Sequence, residues 1–325
     1  MVTFAAGKRV QDVPGMEQVS GRNQTMRISR EKRAVLMKSA SYASVATALC
    51  LIVLKFWAWQ RTDSIALLSS LADSFLDLLA SLLIVFAVHY ALTPADKEHR
   101  FGHGKSEGIA GLAQSALVAG SAIYVAVKAI LRLIVIKPVN EPGTGLLVIG
   151  ISMVMTGALV LFQRYVRDNT GSVAIAADAM HYKSDFVLNA GVILAVVLTA
   201  YAGWWFADSV FGLIAANYIL MAVRQIAVQA MNILMDRELP EEDRARIAYL
   251  ATDHEEVMGL HDLRTRSAGA THFIQFHIEL DPALSLSEAH TISEDVERQV
   301  KVHYPNAQVL IHADPYGHHE PRDRF

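Results

Sequence analysis

Apolar residues in this chain are gathered into long uncharged stretches rather than spread with a helical or strand period. The stretches 108–127, 145–163 and 186–207 each approach the about 20 residues that a helix needs to cross a bilayer core. With weaker stretches they predict six spans, at about 36–60, 64–92, 108–136, 145–166, 173–203 and 209–235. A large soluble helical bundle is the alternative, but its helices would show polar faces with the helical period, and these do not.

From residue 237 onward the pattern becomes that of a soluble domain. Proline and three acids at 240–243 predict the start of a helix. The run 271–280 predicts a strand, and its alternation over 273–280 indicates one buried face. A second strand at 258–266, a helix at 287–303 and a short strand at 308–312 complete the order α-β-β-α-β. The sequence therefore predicts an α-helical membrane protein with a C-terminal α+β domain, in which helices cover a three-stranded sheet.

Composition agrees with this division and narrows the chemistry. Hydrophobic residues make up 53% of the chain and charged residues only 19%, as in a membrane protein. A formal net charge of −3 argues against nucleic acid as a partner. The single cysteine, Cys50, excludes an intramolecular disulfide and multi-thiolate metal sites. The 13 histidines indicate that any metal is bound by imidazole and carboxylate.

The distribution of basic residues predicts the orientation of the spans. Between them, the outer connections hold only Arg61 and Lys137. The inner connections and the end of the last span hold Lys97, Arg100, Lys105, Arg164, Arg167 and Arg237. By the positive-inside rule both termini are cytoplasmic. We therefore expect a disordered basic tail over 1–33, a transmembrane domain over 34–236, a cytoplasmic metal-binding domain over 237–314 and a flexible tail over 315–325.

Ionisable residues inside two spans carry most of the functional prediction. Asp73 and Asp77 in the second span, and His181 and Asp185 in the fifth, are spaced four apart, so each pair shares a helix face. A carboxylate near the bilayer centre costs about 2.5–3.5 kcal/mol, which a divalent cation would offset. The two helices could then supply a closed tetrahedral site. Acids hydrogen-bonded to polar neighbours are the alternative, and we expect Asp178, nearer the cytoplasm, to lie at the interface.

This ligand set also suggests a transport mechanism. Three carboxylates and one imidazole suit Zn²⁺, Fe²⁺, Cd²⁺ or Mn²⁺, and lack the thiolates that select copper(I). Metal binds only when these groups are deprotonated, so metal ions and H⁺ compete for one site. Under an inward proton gradient that competition is sufficient for antiport.

Two further groups of residues have metal-binding chemistry. Asp96, His99 and His103 lie within eight residues of one another after the second span, where a solvated cytoplasmic loop is the alternative. The C-terminal domain contributes five candidates from its strands and second helix, namely His261, His277, His290, His312 and Asp314. One such histidine is usually only a satisfied polar residue, but several with an aspartate suggest a multinuclear metal cluster. Glu279 and Asp281 are interpreted as surface acids.

Three motifs resemble the signatures of the cation diffusion facilitator family. They are LSSLADSFLD at 68–77, FGHGKSE at 101–107 and ADAMHYKSD at 177–185. The segments HDLRTR at 261–266 and FIQFH at 273–277 resemble the bacterial zinc and ferrous-iron efflux branch. The resemblance covers roughly residues 34–315 and leaves the N-terminal tail outside.

The resemblance also implies an assembly, a transport mechanism and roles for individual residues. It implies a homodimer in the bacterial inner membrane, metal–proton exchange by alternating access, and a copper-chaperone-like cytoplasmic domain with a binuclear zinc site at the dimer contact. The four residues in the spans match the family's transport site, and Asp96, His99 and His103 match its loop site. Lys105 and Asp236 match residues that form an interlocking salt bridge at the membrane face of the dimer.

Two other classes of function remain as alternatives. A membrane-embedded metalloenzyme would need an open coordination position, and no zinc-protease helix or P-loop motif is present in the sequence. A membrane-anchored metal sensor would use the soluble domain but would have no need for acids in two spans. The sequence therefore favours a proton-coupled exporter of divalent cations, with zinc as the first candidate and ferrous iron and cadmium after it.

Overall fold

The computed structural model describes residues 29–62, 65–134, 143–204 and 206–317. The chain divides into two compact units, the first ending at Leu234 and the second beginning at Met235. The described part of the first unit contains six long helices: α1 (Arg30–Thr62), α2 (Ile65–Ala91), α3 (Ser106–Ile134), α4 (Gly143–Thr170), α5 (Val173–Ala202) and α6 (Ala207–Leu234). The predicted helical region is confirmed, and every helix end lies within six residues of its predicted position.

The first unit has the surface of a membrane protein. Among the described residues, helices α1 to α4 and α6 are five that are long and apolar enough to cross a membrane. Helix α5 is not one of the five, and several of its side chains lie outside the described set, so its crossing remains a prediction. Large apolar side chains point outward, for example Phe86 at 71% and Val154 at 75% exposure. Such an apolar surface requires a partner other than water, and a lipid bilayer supplies it.

The predicted N-terminal tail is too long at its C-terminal end. Helix α1 already begins at Arg30, so residues 30–33 are helical rather than disordered. Glu31 lies in the first turn, where a negative charge stabilises the helix N-terminus, and Arg33 Nη2 lies 3.6 Å from Glu107 Oε1. The rest of the predicted tail, and Lys137 in the predicted outer connection, lie outside the described residues.

Helix α5 packs into two separate apolar clusters of the first unit. In one cluster, its Ile175 is fully buried with Met37 and Ile84. In the other, its Met180 is buried with Val118 and Ile219. Because α5 packs on both sides, the segment that carries His181 and Asp185 is held within the helical bundle rather than on its outside.

The second unit has the predicted order of elements. These are α7 (Glu241–Thr252), β1 (Gly259–Ala268), β2 (Thr271–Leu280), α8 (Leu286–His303) and β3 (Ala307–Pro315). Strand β2 is central, antiparallel to β1 and parallel to β3. The last strand is longer than predicted because its pairing with β2 continues to Pro315, and the Tyr316 N–H donates to Leu280 O at 2.7 Å. Residue 315 is therefore in a strand and residues 316–317 form a turn, where a flexible tail was predicted, and residues 318–325 lie outside the described residues.

The alternation of β2 places one face of the sheet in the core. Ile274, Phe276 and Ile278 are at most 1% exposed and belong to one apolar cluster with Val296 and Val300 of α8. The intervening side chains, at positions 275, 277 and 279, lie on the opposite face. The predicted strand and its buried face are confirmed, and polar groups are left on the side that faces away from α8.

A capping box fixes the start of α8. The Ser285 hydroxyl accepts from the Glu288 N–H at 3.3 Å, and the Glu288 carboxylate accepts from the Ser285 N–H at 2.8 Å. Hydrogen bonds from the Ser285 hydroxyl and its N–H lower the pKa of Glu288. The helix therefore begins at a defined residue, which sets the positions of Val296 and Val300 over the sheet.

Candidate metal centres

Helices α2 and α5 bring three of the four predicted transport-site residues together. His181 Nε2 lies 3.0 Å from Asp77 Oδ1 and 3.8 Å from Asp185 Oδ2. One ligand atom from each residue falls within 4.8 Å of the others. The side chains of His181 and Asp77 are only 13% and 16% exposed. Two carboxylates and an imidazole thus converge inside a helical bundle, which is an arrangement able to hold a divalent cation.

Asp73 is not part of that convergent group. Its side chain is exposed, whereas Asp77, one turn later on the same helix, is partly buried and contacts His181. The structure therefore forms a three-residue cluster from the predicted quartet, and the ligand role of Asp73 remains a prediction.

Asp178 lies in a different environment from the interfacial one we expected. It is completely buried, and its carboxylate accepts hydrogen bonds from the Ser44 hydroxyl and, at 2.7 Å, from Gln163 Nε2. These partners come from α1 and α4, so the acid connects three helices one turn before His181. Sequence could not show this, because Ser44 and Asp178 are 134 residues apart.

The loop between α2 and α3 brings its three predicted ligands together. We call Asp96, His99 and His103 the loop cluster; their candidate ligand atoms lie within 4.8 Å of one another. Asp96 Oδ2 is 3.3 Å from His103 Nε2, and Asp96 Oδ1 is 3.4 Å from His99 Nδ1. His103 is buried and packs edge-on against Tyr90, with ring centroids 4.5 Å apart, while Asp96 and His99 are exposed.

Backbone N–H groups of the loop stabilise the ionised form of the Asp96 carboxylate. Its Oδ1 accepts the His99 N–H at 2.6 Å and the Glu98 N–H at 2.9 Å. These hydrogen bonds, that of His99 first, lower the pKa of Asp96 and favour its ionised form. A carboxylate held ionised beside two imidazoles is suited to a metal ion, even at the surface.

The open face of the sheet forms the cytoplasmic cluster, which we define as His261, His277 and Asp314. Asp314 is 5% exposed, and its Oδ2 lies 2.8 Å from His277 Nδ1 and 3.3 Å from His261 Nε2. Each residue comes from a different strand, and the register aligns His261 with His277. His312 is adjacent, with Nε2 3.0 Å from Asp314 Oδ1 and its ring centroid 4.7 Å from that of His277.

A bulge in β1 gives His261 this position. The regular pairing with β2 is interrupted between His261 and Arg264, and Asp262 adopts a left-handed φ of 51°. Aspartate tolerates that conformation better than most residues. The bulge allows the chain to change its register after His261 has been placed beside His277.

Two predictions about the cytoplasmic domain need correction. His290 does not approach the cytoplasmic cluster within one protomer: its side chain is 72% exposed and pairs with Glu294 at 3.5 Å. Glu279, interpreted from the sequence as a surface acid, is partly buried, and its Oε1 lies 3.1 Å from His261 Nδ1. Its position was available from the alternation of β2, since residues 277 and 279 share a face.

The predicted dimer pair is distributed over the two units. Lys105 Nζ donates to Leu234 O at 3.4 Å within the first unit. Asp236 belongs to the second unit, where its Oδ1 lies 3.3 Å from Arg266 Nη1. Their mutual salt bridge therefore remains a prediction.

Comparison with known proteins identifies both parts of the chain. Residues 41–235 match the family described as cation efflux transmembrane domain. The chain belongs to the cation efflux family. Residues 239–316 match the cation efflux protein, cytoplasmic domain. The resemblance to cation diffusion facilitators, drawn from short motifs, is confirmed over nearly the whole described chain.

Relatives of this cation efflux protein are similar over most of their length. The cation-efflux pump FieF of Shewanella oneidensis is 48% identical over 86% of this chain and 94% of its own. FieF of Yersinia enterocolitica is 42% identical over 87% of this chain and 94% of its own. The cation efflux chain is accordingly a transporter and not an enzyme.

A solved structure matches a quarter of the chain. The metal-bound C-terminal domain of the CzcD transporter from Thermotoga maritima is 26% identical, and the match covers 25% of this chain and 95% of that one. Its TM-score is 0.24.

One residue near the quartet was missed from the sequence. Lys55 of α1 donates from Nζ to Ser74 Oγ at 2.7 Å and to Ser70 O at 3.1 Å, on the turns of α2 that carry the acids. A lysine inside an otherwise apolar span was a visible signal, because such a residue marks a functional site by default. It supplies this cation efflux protein with a fixed positive charge beside its carboxylates.

Proposed function

We propose that this protein exports divalent transition-metal cations from the cytoplasm in exchange for protons, with Zn²⁺ as its main substrate and Fe²⁺ and Cd²⁺ as further ones. The observation that carries the proposal is the convergence of Asp77, His181 and Asp185, with ligand atoms within 4.8 Å of one another inside the helical bundle. Relatives 48% and 42% identical are named cation-efflux pumps, which supports the direction of transport.

The ligand set favours zinc among the divalent cations. Zn²⁺ is bound by histidine nitrogen and carboxylate oxygen at about 2.0–2.2 Å, so its ligand atoms lie a few ångströms apart. We propose Asp73 as the fourth ligand, since it lies one turn before Asp77 and a modest rotation of α2 would turn it inward. Mn²⁺ is chemically possible but prefers an all-oxygen site.

Proton coupling follows from the same four side chains. Metal binding requires the three carboxylates ionised and the imidazole neutral, so protons and metal exclude one another. In an alternating-access cycle, H⁺ entering from outside displaces the metal, and cytoplasmic metal then displaces H⁺. No second pathway for protons is needed.

We propose a resident zinc site in the cytoplasmic cluster. His261, His277 and Asp314 offer two imidazole nitrogens and one buried carboxylate, with His312 beside them, and their spacing fits a zinc ion. Bound zinc would tie the three strands together and neutralise the buried carboxylate. We also propose that the loop cluster binds metal, so that cytoplasmic metal would be sensed at both places.

The proposed assembly is a homodimer in a bacterial inner membrane, with both termini in the cytoplasm. The excess of lysine and arginine in the inner connections supports this orientation. The match of residues 239–316 to a family of dimerising cytoplasmic domains supports the dimer. A salt bridge between Lys105 and Asp236 would join the protomers at the membrane face.

Zinc flux into proteoliposomes tests the proposed function. Wild type should transport zinc, and more of it under an imposed pH gradient. Asp77→Ala should abolish the flux while the protein remains monodisperse and helical. Asp168→Asn, which neutralises an exposed acid paired with Arg167 at 2.6 Å, is a matched control that should transport normally. Flux that ignores the pH gradient would refute antiport, and flux that survives Asp77→Ala would remove the quartet from the pathway.

A further inference from the structure

A lysine side chain lies inside the first long helix, among apolar neighbours. Lys55 is partly buried between Leu54 and Phe56 in the chain, within a stretch long and apolar enough to cross a membrane. A lysine near a bilayer centre costs about 2.5–3.5 kcal/mol on insertion scales. Such a residue is retained only where its charge is compensated.

The contacts of Lys55 all point toward helix α2. Its Nζ donates to the Ser74 hydroxyl at 2.7 Å and to the Ser70 carbonyl at 3.1 Å. Ser74 is fully buried and lies between Asp73 and Asp77 in the chain, so the ammonium is fixed on the turn that carries both acids. Two hydrogen bonds thus fix the position of the Lys55 ammonium.

The same ammonium acts on carboxylates from both helices. Its anchor Ser74 lies next to Asp73 in the chain and three residues before Asp77, and Asp185 shares the convergent group with Asp77. Three ionised carboxylates carry a charge of −3, and a bound divalent cation leaves −1. Lys55 supplies the charge that makes the loaded site neutral, and it also keeps the empty site from holding three unbalanced negative charges in a poorly solvated bundle.

We propose that Lys55 is a tethered cation that weakens metal binding at the quartet and so allows the metal to leave. The proposal rests on the proposed function and adds a residue that sets the affinity of the transport site. A fixed positive charge repels a divalent cation, and it also competes with that cation for the carboxylates. Ser74 is the positioning residue, because its hydroxyl holds the ammonium in place.

Removing the charge should separate binding from turnover. The Lys55→Met variant should bind Zn²⁺ at the quartet at least tenfold more tightly, because the lysine charge no longer repels the divalent cation. That repulsion is only weakly screened inside the bundle. The same variant should turn over more slowly, since a tighter complex releases its ion less readily. In flux assays this appears as a lower KM together with a lower kcat, which loss of packing alone would not produce.

The test uses the full chain in two assays. Zinc flux into proteoliposomes gives KM and kcat. Zinc binding is measured at about pH 8, where proton competition is weak, in a background carrying His103→Ala and Asp314→Asn to silence the other clusters. The matched control is Lys38→Met, the same replacement 17 residues earlier in α1 and roughly 25 Å away along the helix. It should leave Kd, KM and kcat unchanged.

Three variants decide the outcome. Lys55→Arg keeps the charge and should behave nearly as wild type, whereas Ser74→Ala should shift KM and kcat in the direction of Lys55→Met but less far. If Lys55→Met does not fold, Ser74→Ala decides. Unchanged or weaker zinc binding in Lys55→Met, or in Ser74→Ala where Lys55→Met does not fold, with flux still lost in Asp77→Ala, overturns the role of Lys55 alone. Flux that persists in Asp77→Ala overturns the proposed function and this proposal with it.

Discussion

Asp314 is the residue whose loss should most affect metal binding in the cytoplasmic domain. It is 5% exposed, and one carboxylate meets three imidazoles, with distances of 2.8 Å to His277, 3.3 Å to His261 and 3.0 Å to His312. Asp314→Asn keeps the size of the side chain but removes its negative charge. The cluster then holds a metal with neutral imidazoles and an amide, which is a much poorer ligand set for zinc.

The size of the effect follows from linkage. Changes around a metal site cost 10–100-fold in affinity even when they spare the ligands, so we take about 100-fold for this direct loss. At free zinc of about 100 times the wild-type Kd, zinc stabilises the wild-type domain by about 2.7 kcal/mol, and the variant by only about 0.4 kcal/mol. Amide exchange through global opening of the domain should slow about 100-fold with zinc in wild type but only about twofold in the variant.

Hydrogen exchange of the full chain measures this directly, read at the amides of β2 with and without zinc. The control is Asp281→Asn, at an exposed acid whose Oδ1 accepts the Ala283 N–H at 2.8 Å, a bond that asparagine preserves. The control should keep the full zinc-dependent protection. Equal protection by zinc in wild type and Asp314→Asn would refute the reasoning, because the cluster would then not be the site of binding.

Three further measurements test other parts of the structure. Ser285→Ala removes the capping box of α8 and should lower the free energy of unfolding of the domain by about 1 kcal/mol, measured in urea; no change would contradict the cap. Phe276→Ala should cost about 3–5 kcal/mol because the ring is 1% exposed, whereas Leu310→Ala, at 64% exposure in the neighbouring strand, should change little. An NMR titration should give Asp96 a pKa below its usual range. Because that pKa is lowered on folding, the carboxylate stabilises the loop above its unfolded pKa, and this is lost as pH falls through the lowered value; an ordinary pKa would refute the two backbone hydrogen bonds.

Local sequence patterns predict the elements and part of each site. The alternation over β2 identifies its buried face, and four-residue spacing identifies the pairs that share a helix face. The same arithmetic could have excluded His290: Ile292 is buried against the sheet, and a residue two positions away is about 200° around the helix. The helical period of α8 thus argues against His290 as a ligand, although histidine is a residue type that favours one.

Contacts between distant helices could not be predicted in this way. Asp73 and Asp77 share a face, yet only Asp77 lies against His181 in the packed structure. The burial of Asp178 depends on Gln163, on a different helix, and the anchoring of Lys55 depends on two neighbouring helices meeting at one turn. Such contacts depend on how the helices pack against one another. The periodicity of a single helix carries no information about that packing.

The row of ligands across the sheet has a consequence for folding. His261, His277 and Asp314 lie on three strands, and the parallel pairing of β2 with β3 can form only after α8 has been made. Such long-range pairing is slow to form. Before the last strand docks, β1 and β2 offer only the two imidazoles, and the buried carboxylate that completes the ligand set joins them when β3 pairs with β2. A newly made exporter would thus not sequester metal before it is able to move it.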